Sequence, residues 1–408
     1  MSTDPAPPRA SIGRVVAARV AAALVVATLI WLPLMRFVFT PAAASYSGAT
    51  GVPELARRMV RGHLALWSDP KRRADEVDRM RLSNAEWDFM GRTYLILALA
   101  NIGLREPAQV PQLLPAMDFI IDETVKVEQS MGFRHFMMPY AHDRPYVTDP
   151  ARSVFVDGEL ALMMAARRAI SERAELAGQM RERLAHMEAQ MRAGPALCGE
   201  SYPDECWIFC NTVALAAMRA SDNLDGTDHA VFFRDWVAMA KKRLADPTTG
   251  ILWSSFSLDA RVKDGPEGSS IWMAAHCLQL VDEAFAHDQY ERARKELGRT
   301  FLGFGWAREW PASWRGASDV DSGPIIPILE ASAGSSGLAL LGAASFGDAD
   351  YLAALHASLE LAAFPIDDAS GRRYAASNQV GDSVMLYSMV QGPLWERFRA
   401  PRQNRESR

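Results

Sequence analysis

The sequence predicts an all-α protein: an α/α barrel, or toroid, of about six helical hairpins preceded by one N-terminal transmembrane helix. Three observations predict it. One long apolar run lies near the N-terminus; apolar positions then recur at helical spacing with hardly any strand-like alternation; and the joints between the helical runs are unequal in length. Helices paired by short turns at one end and long loops at the other suggest a toroid whose long-loop face forms the site. A helical solenoid is the alternative, but no fixed-period repeat supports it.

The apolar run, 20–39, is long enough to cross a hydrocarbon core of about 30 Å if Arg36 snorkels toward one face. Arg9, Arg14 and Arg19 precede it, so the positive-inside rule keeps the N-terminus cytoplasmic and sends the rest across the membrane. A cleaved signal peptide competes with this reading, because Ala42, Ala43, Ala44 and Ser45 offer the small residues a peptidase needs. The stretch exceeds the ~7–15 residues usual for a signal, which favours an uncleaved anchor. Either way the domain is exported, to the periplasmic or extracytoplasmic side. The expected organisation is a cytoplasmic tail at 1–19, the anchor or signal at 20–39, a linker at 40–51, the barrel at 52–398 and a disordered polar tail at 399–408.

Within the barrel, helical spacing marks 52–66, 86–104, 110–127, 153–170, 173–191, 207–220, 230–244, 269–285, 289–301, 324–344, 349–361 and 383–398. The joints at 103–107 and 346–350 are tight turns. Those at 131–152, 246–268, 303–323 and 365–381 are long, and they carry aromatic groups: Phe133, Phe136 and Tyr140 in one, Trp253 and Phe256 in the next, then Trp306, Trp310 and Trp314. Such residues either cap the core or line a cleft, and their repetition on one class of loop favours the cleft.

Composition narrows the function. The chain has 408 residues, 49% of them hydrophobic, a net charge of −5 and four cysteines. That hydrophobic content supports a large core, and the mild negative charge, with no basic block after the anchor, excludes nucleic acid as an expected partner. Cys198, Cys206 and Cys210 share one short stretch, which permits a bridge in an oxidising compartment without making a disulfide scaffold. The histidines are scattered, so no metal site is expected, and no cofactor motif occurs.

Three constellations could carry chemistry. The segment 202–211 places Asp204, Glu205, Cys206 and Cys210 among Tyr202, Trp207 and Phe209 around a helix start, where dipole and desolvation tune an acid or base; the plain alternative is an N-cap Asp204 with Cys210 packed as a small apolar residue. Glu159 lies in an otherwise apolar helical run, where a carboxyl has a raised pKa and can serve as a general acid, or is simply a satisfied structural group. Asp319 and Asp321 stand before Gly323 and Pro324, as a helix cap or as hydroxyl-binding carboxylates at a cleft mouth.

The soluble part, over much of 83–359, resembles the linalool dehydratase/isomerase family of cofactor-independent α/α-barrel lyases. The resemblance rests on Pro203, Asp204, Cys210 and Asn211, on Gly226 to His229 in place of a Gly-Thr-Asp-Tyr segment, and on Asp319 to Gly323 matching an Asp-Ala-Asp-Gly-Gly run. It implies acid-base chemistry on a small hydroxylated, terpenoid-like substrate. Cys210 matches the family's second active-site cysteine; the first falls at Ser201, with Cys198 as a substitute. Glu159 replaces a histidine and Phe155 a methionine, and the family's early aspartate and tyrosine have no counterpart near 67–78. The resemblance therefore implies Cys210, Glu159 and Asp204 as catalytic residues and Phe155, Ser201, Tyr202, Trp207, Trp272, Asp319 and Asp321 as substrate-binding ones. A carbohydrate-active barrel enzyme and a non-catalytic envelope binding protein are the alternatives. The expected partners are a small-molecule substrate and the membrane, with a homo-oligomer left open.

Overall fold

The structure, a computed structural model, describes residues 12–48, 50–316, 320 and 322–400. The first helix, α1 (Ile12–Phe39), contains the apolar run and stands outside the core with its side chains exposed. It is long and apolar enough to cross a membrane. A short α2 (Ala43–Tyr46) leads to α3 (Glu54–Ser68) and α4 (Pro70–Ser83).

The remaining helices alternate between two rings. The inner ring is α5 (Ala85–Arg105), α7 (Val154–Ile170), α9 (Ile208–Asp225), α11 (Gly268–Leu278), α13 (Ala333–Ser345) and α15 (Gln379–Val390). Each packs on the next, and α15 packs back on α5, so the ring closes. Outside it lie α6 (Val110–Met131), α8 (Ala174–Ala193), α10 (Ala230–Arg243), α12 (Glu283–Glu296) and α14 (Ala349–Ala362), with α3 against α15. This is the expected α/α barrel.

An inner helix touches both ring neighbours, its outer partner and the barrel interior, so it has no solvent face. Accordingly α7 is buried from Val154 through Ala169, and α11 throughout apart from Ser269. An outer helix buries one stripe, as α12 does with Phe285, Ala286, Gln289, Tyr290 and Ala293. Every inner helix leads to its successor through a few residues at its C-terminal end, whereas the return to the next inner N-terminus takes the long segments. The six inner helices therefore run parallel, and the long loops gather at their N-terminal end.

The long loops hold more regular structure than their sequence suggests. Strands β1 (Cys206–Trp207), β2 (Ser255–Phe256) and β3 (Val262–Asp264) form a three-stranded antiparallel sheet that ties the approach to α9 to the approach to α11. Three hairpins follow: β4 (Gly298–Phe301) with β5 (Phe304–Ala307), β6 (Ile325–Ile326) with β7 (Ala331–Ser332), and β8 (Pro365–Asp368) with β9 (Gly371–Tyr374). The expected helix over 324–344 begins only at Ala333, because Pro327 interrupts a β-branched run. The run 289–301 stops at Glu296, and residues from Gly298 pair as β4. The expected helix 269–285 is two, broken between Leu278 and Glu283. The run 383–398 also divides, since Gly392 has φ 116° and Pro393 begins a new helix, α16 (Pro393–Arg399). The polar α4 was absent from the expected list, although Asp69 caps it and Pro70 opens it. The tail expected at 399–408 lies, from 401, outside the described residues.

Helix α16 packs on α9, α5 and α7 and stoppers the C-terminal end of the ring. Trp395 carries that contact: its Nε1 donates to the His276 carbonyl at 3.0 Å and its ring stacks on the His276 imidazole at 4.4 Å. Burial drives the His276 pKa down to about 3, so the ring is neutral and bonds Tyr387 Oη and Ser345 Oγ, each at 2.7 Å. Trp395→Ala should destabilise the domain by about 3–5 kcal/mol through the lost packing and the cavity left behind. Denaturant midpoints of the two proteins measure it.

Candidate active site

A cavity of about 560 Å3 opens at the N-terminal end of the inner ring, and all six inner helices reach it. Helix α5 supplies Glu86, Trp87, Met90 and Tyr94; α7 supplies Phe155; α9 supplies Phe209 and Cys210. Ser269 and Ser270 of α11, Leu338 of α13 and Val384 of α15 also line it, with Glu267 at the cap of α11 and Arg79 and Ser83 of α4 at its edge. Side chains cap three of these helix starts: Asn84 accepts from the Glu86 amide at 2.8 Å, Ser332 from Ser335 at 3.1 Å, and Asn378 from Gly381 at 3.0 Å.

Tyr202 and Trp207 enter from the loop before α9. That loop is organised around the buried Glu200 carboxylate, which accepts hydrogen bonds from the amides of Val147 (3.0 Å), Thr148 (2.7 Å) and Asp204 (2.6 Å). A carboxylate satisfied by so many donors holds two loops in one register. The Tyr202 hydroxyl donates to Glu86 and accepts from the Met138 amide at 2.9 Å, and its ring stacks on Tyr140 at 4.4 Å. Burial and the Glu86 charge push its pKa far up, so it remains a donor.

Cys210 is a free, buried thiol on the wall. Burial raises its pKa well above the ordinary value, Glu86 and Glu159 raise it further, and a hydrogen bond with Ser201 opposes them; the sulfur stays protonated. Cys198 does not substitute for the missing family cysteine, because it is bonded to Cys206. Tyr94 stands nearby on the wall, and its buried hydroxyl has no hydrogen-bond partner among the described residues. In a dry site such a hydroxyl is costly unless something in the cavity meets it.

The other expected site residues fall elsewhere. Glu159 lies within α7, not on the wall, and receives the Thr93 hydroxyl at 2.5 Å. Burial lifts its pKa to about 8, with Glu86 adding to the rise and Thr93 opposing it. Ser201 sits behind Cys210, its hydroxyl accepting from the Trp207 amide at 3.1 Å and its carbonyl from Ser153 Oγ at 2.6 Å. Asp204 is also off the wall: it makes a tight turn at φ 56° and pairs with Lys263 at 3.2 Å. Trp272 is fully buried on α11, bonded to Ser335 Oγ at 3.0 Å and packed between Tyr290 and Tyr351 rather than on the cavity. Asp319 and Asp321 lie outside the described residues. Glu86, Tyr94 and Glu267 were not anticipated. Glu86 carried a sequence signal, the Asn84 cap two residues before it, whereas nothing in sequence distinguishes Tyr94.

The sequence profile of the linalool dehydratase/isomerase family matches residues 181–380, which hold Cys210, Tyr202, Trp207 and Glu267. Over this segment the chain is similar to the linalool dehydratase/isomerase family. Among solved structures it is similar to a family 76 glycoside hydrolase α-mannanase of Bacteroides thetaiotaomicron, at 10% identity and a TM-score of 0.42 over 76% of this chain and 86% of that one. A family 76 glycoside hydrolase from a bovine strain of the same species gives 14% identity and a TM-score of 0.44 over 75% and 69%. Likenesses this distant carry no argument about activity.

Two outcomes check this site. Glu159 binds its proton more tightly folded than unfolded, so the stability it contributes is complete below pH about 4.5 and is lost as pH rises toward about 8. Glu159→Gln, which keeps an acceptor for Thr93, should abolish that loss, leaving Tm flatter across this window than in the parent. Denatured but unreduced protein should take up alkylating reagent at Cys210 and Cys277 alone, and at Cys198 and Cys206 only after reduction, as mass spectrometry reads directly.

Proposed function

We propose that the protein is a membrane-anchored, cofactor-independent lyase or isomerase of linalool dehydratase type, acting by acid-base chemistry on a small hydroxylated, terpenoid-like substrate on the periplasmic or extracytoplasmic side. One observation carries the reading: a protonated thiol, a carboxylate and a phenol with no hydrogen-bond partner among the described residues meet in one cavity whose wall includes Phe155, Trp207, Phe209, Leu338 and Val384. The apolar side chains suit a hydrocarbon body, and the polar groups among them suit a hydroxyl.

In the proposed elimination, Cys210 donates its proton to the leaving hydroxyl as the C–O bond breaks, and water departs. Glu86, oriented by Tyr202, takes a proton from the neighbouring carbon as the double bond forms. Tyr94 supplies a hydrogen bond to the substrate oxygen. Glu159, behind the wall, keeps its proton and its hydrogen bond with Thr93 and takes no part in the transfers. The thiolate left on Cys210 recovers its proton from Glu86, which restores both groups.

Incubation with linalool and related allylic terpene alcohols, with gas chromatography of the products, tests the reading. Dehydration or isomerisation should be seen, and Cys210→Ala and Glu86→Gln should each lower kcat by about 10²-fold or more. Full activity in Cys210→Ala would overturn it. A carbohydrate-active reading is favoured by a different observation: Glu86 and Glu267 reach the cavity from α5 and α11, three places apart in a ring of six and hence on opposite sides. Under that reading Glu267→Gln would abolish glycan hydrolysis and Cys210→Ala would leave it intact.

A further inference from the structure

Large apolar side chains stand in solvent on the flank of the domain from which α1 departs. Phe301 is 52% exposed, Ile326 52%, Ile328 98%, Leu329 49% and Phe364 64%, values unlike those of core-forming residues of the same types. They belong to one surface. The β4–β5 hairpin turns at Leu302 and Gly303, and Arg36 at the end of α1 lies directly over Gly303, where an added Cβ would fall 2.1 Å from the Arg36 Cδ. Strand β5 runs along α14: the Trp306 carbonyl accepts from Tyr351 Oη at 2.8 Å and the Gly305 amide donates to Ser358 Oγ at 3.0 Å. That direction carries the hairpin tip toward the end of α14, next to Phe364, while Trp306 Nε1 donates to the Leu329 carbonyl at 2.9 Å and holds the 327–330 turn beside the hairpin. Helix α1 packs on α14 at the same flank.

The 327–330 turn is also strained. Ile328 has φ 70° and Glu330 φ 51°, a region that a β-branched residue rarely adopts, and the strained turn projects Ile328 fully outward. Water gives no return for that arrangement, since a contiguous apolar patch on a soluble protein marks an interaction surface. A bilayer does, because its headgroup boundary accepts apolar side chains to a depth of about 5–10 Å and favours tryptophan at the same level.

We propose that this flank is immersed in the interfacial layer of the bilayer, with Ile328 the deepest residue. The proposal rests on the reading of α1 as a retained anchor. It has a consequence for the substrate: Ser322, Gly323 and Pro324 rim the cavity and continue into β6, so the rim adjoins the immersed turn. The cavity then draws from molecules dissolved at the lipid surface, amphiphiles with an apolar body in the acyl layer and a hydroxyl at the headgroups.

The test uses the full chain in phosphatidylcholine and phosphatidylglycerol vesicles. An environment-sensitive fluorophore is attached at Ile328→Cys, at Leu29→Cys within α1, and at Glu175→Cys on α8 across the ring, the native free thiols being buried. Nitroxide-bearing lipids are the quencher. Immersion predicts loss of emission and a shift to shorter wavelength at 328 and at 29, with neither at 175. Quenching at 29 with position 328 behaving like 175 overturns the immersion while the anchor stands. Absence of quenching at both 29 and 328 overturns the anchor and the immersion together.

Discussion

The site depends on one constraint, the parallel packing of six helices around a closed ring. Each helix N-terminus carries about half a positive charge, and here six of them face one cavity. This favours negative charge at the mouth and explains how Glu86 and Glu267 can share it. The effect fades within the first turn. Glu86 is the second residue of α5 and lies inside that range; Glu159 is the sixth residue of α7 and lies beyond it, where desolvation dominates and keeps its proton in place. The same residue type has two electrostatic characters because it occupies two depths along otherwise equivalent helices.

The lining of the candidate cavity was partly legible in the sequence, and the division follows chain distance. Cys210, Tyr202 and Trp207 were found because they crowd into one short stretch, and Phe155 through its place in a resemblance. Glu86 and Tyr94 join them only because α5 closes the ring against α7 and α15, and no local pattern encodes that closure. Trp272 shows the converse: the resemblance implied a substrate contact there, but its direction on α11 turns it toward Tyr290 and Tyr351. Cys198, also a plausible member by spacing, is consumed by Cys206. Spacing says which residues are near in the chain, not which way they point.

Legibility of the fold divides differently. Helical spacing located nearly all the ring helices because packing in two rings demands apolar positions on at least one stripe. It failed in the returns to the inner ring, where the apolar residues of 298–307 and 325–332 serve hairpins and an exposed flank rather than a helix face. It also passed over α4, which buries Met80 and few other side chains and so shows no apolar stripe. Capping chemistry at Asp69 and Pro70 was the available signal there.

The ring has a seam, and the seam governs how the chain reaches this structure. Its two edges are α5 and α15, joined by contacts such as Gln379 Nε2 to the Gly91 carbonyl, 288 residues apart in sequence. Until the last helices have emerged, α5 lacks one neighbour and the cavity lacks a wall. A chain that emerges from its N-terminus cannot complete such a ring part-way, so the apolar face of α5 stays open until α15 arrives. Loop closure over this distance is also slow. Assembly is thus a late, single event, and whatever shields the open edge of α5 until α15 arrives governs its yield.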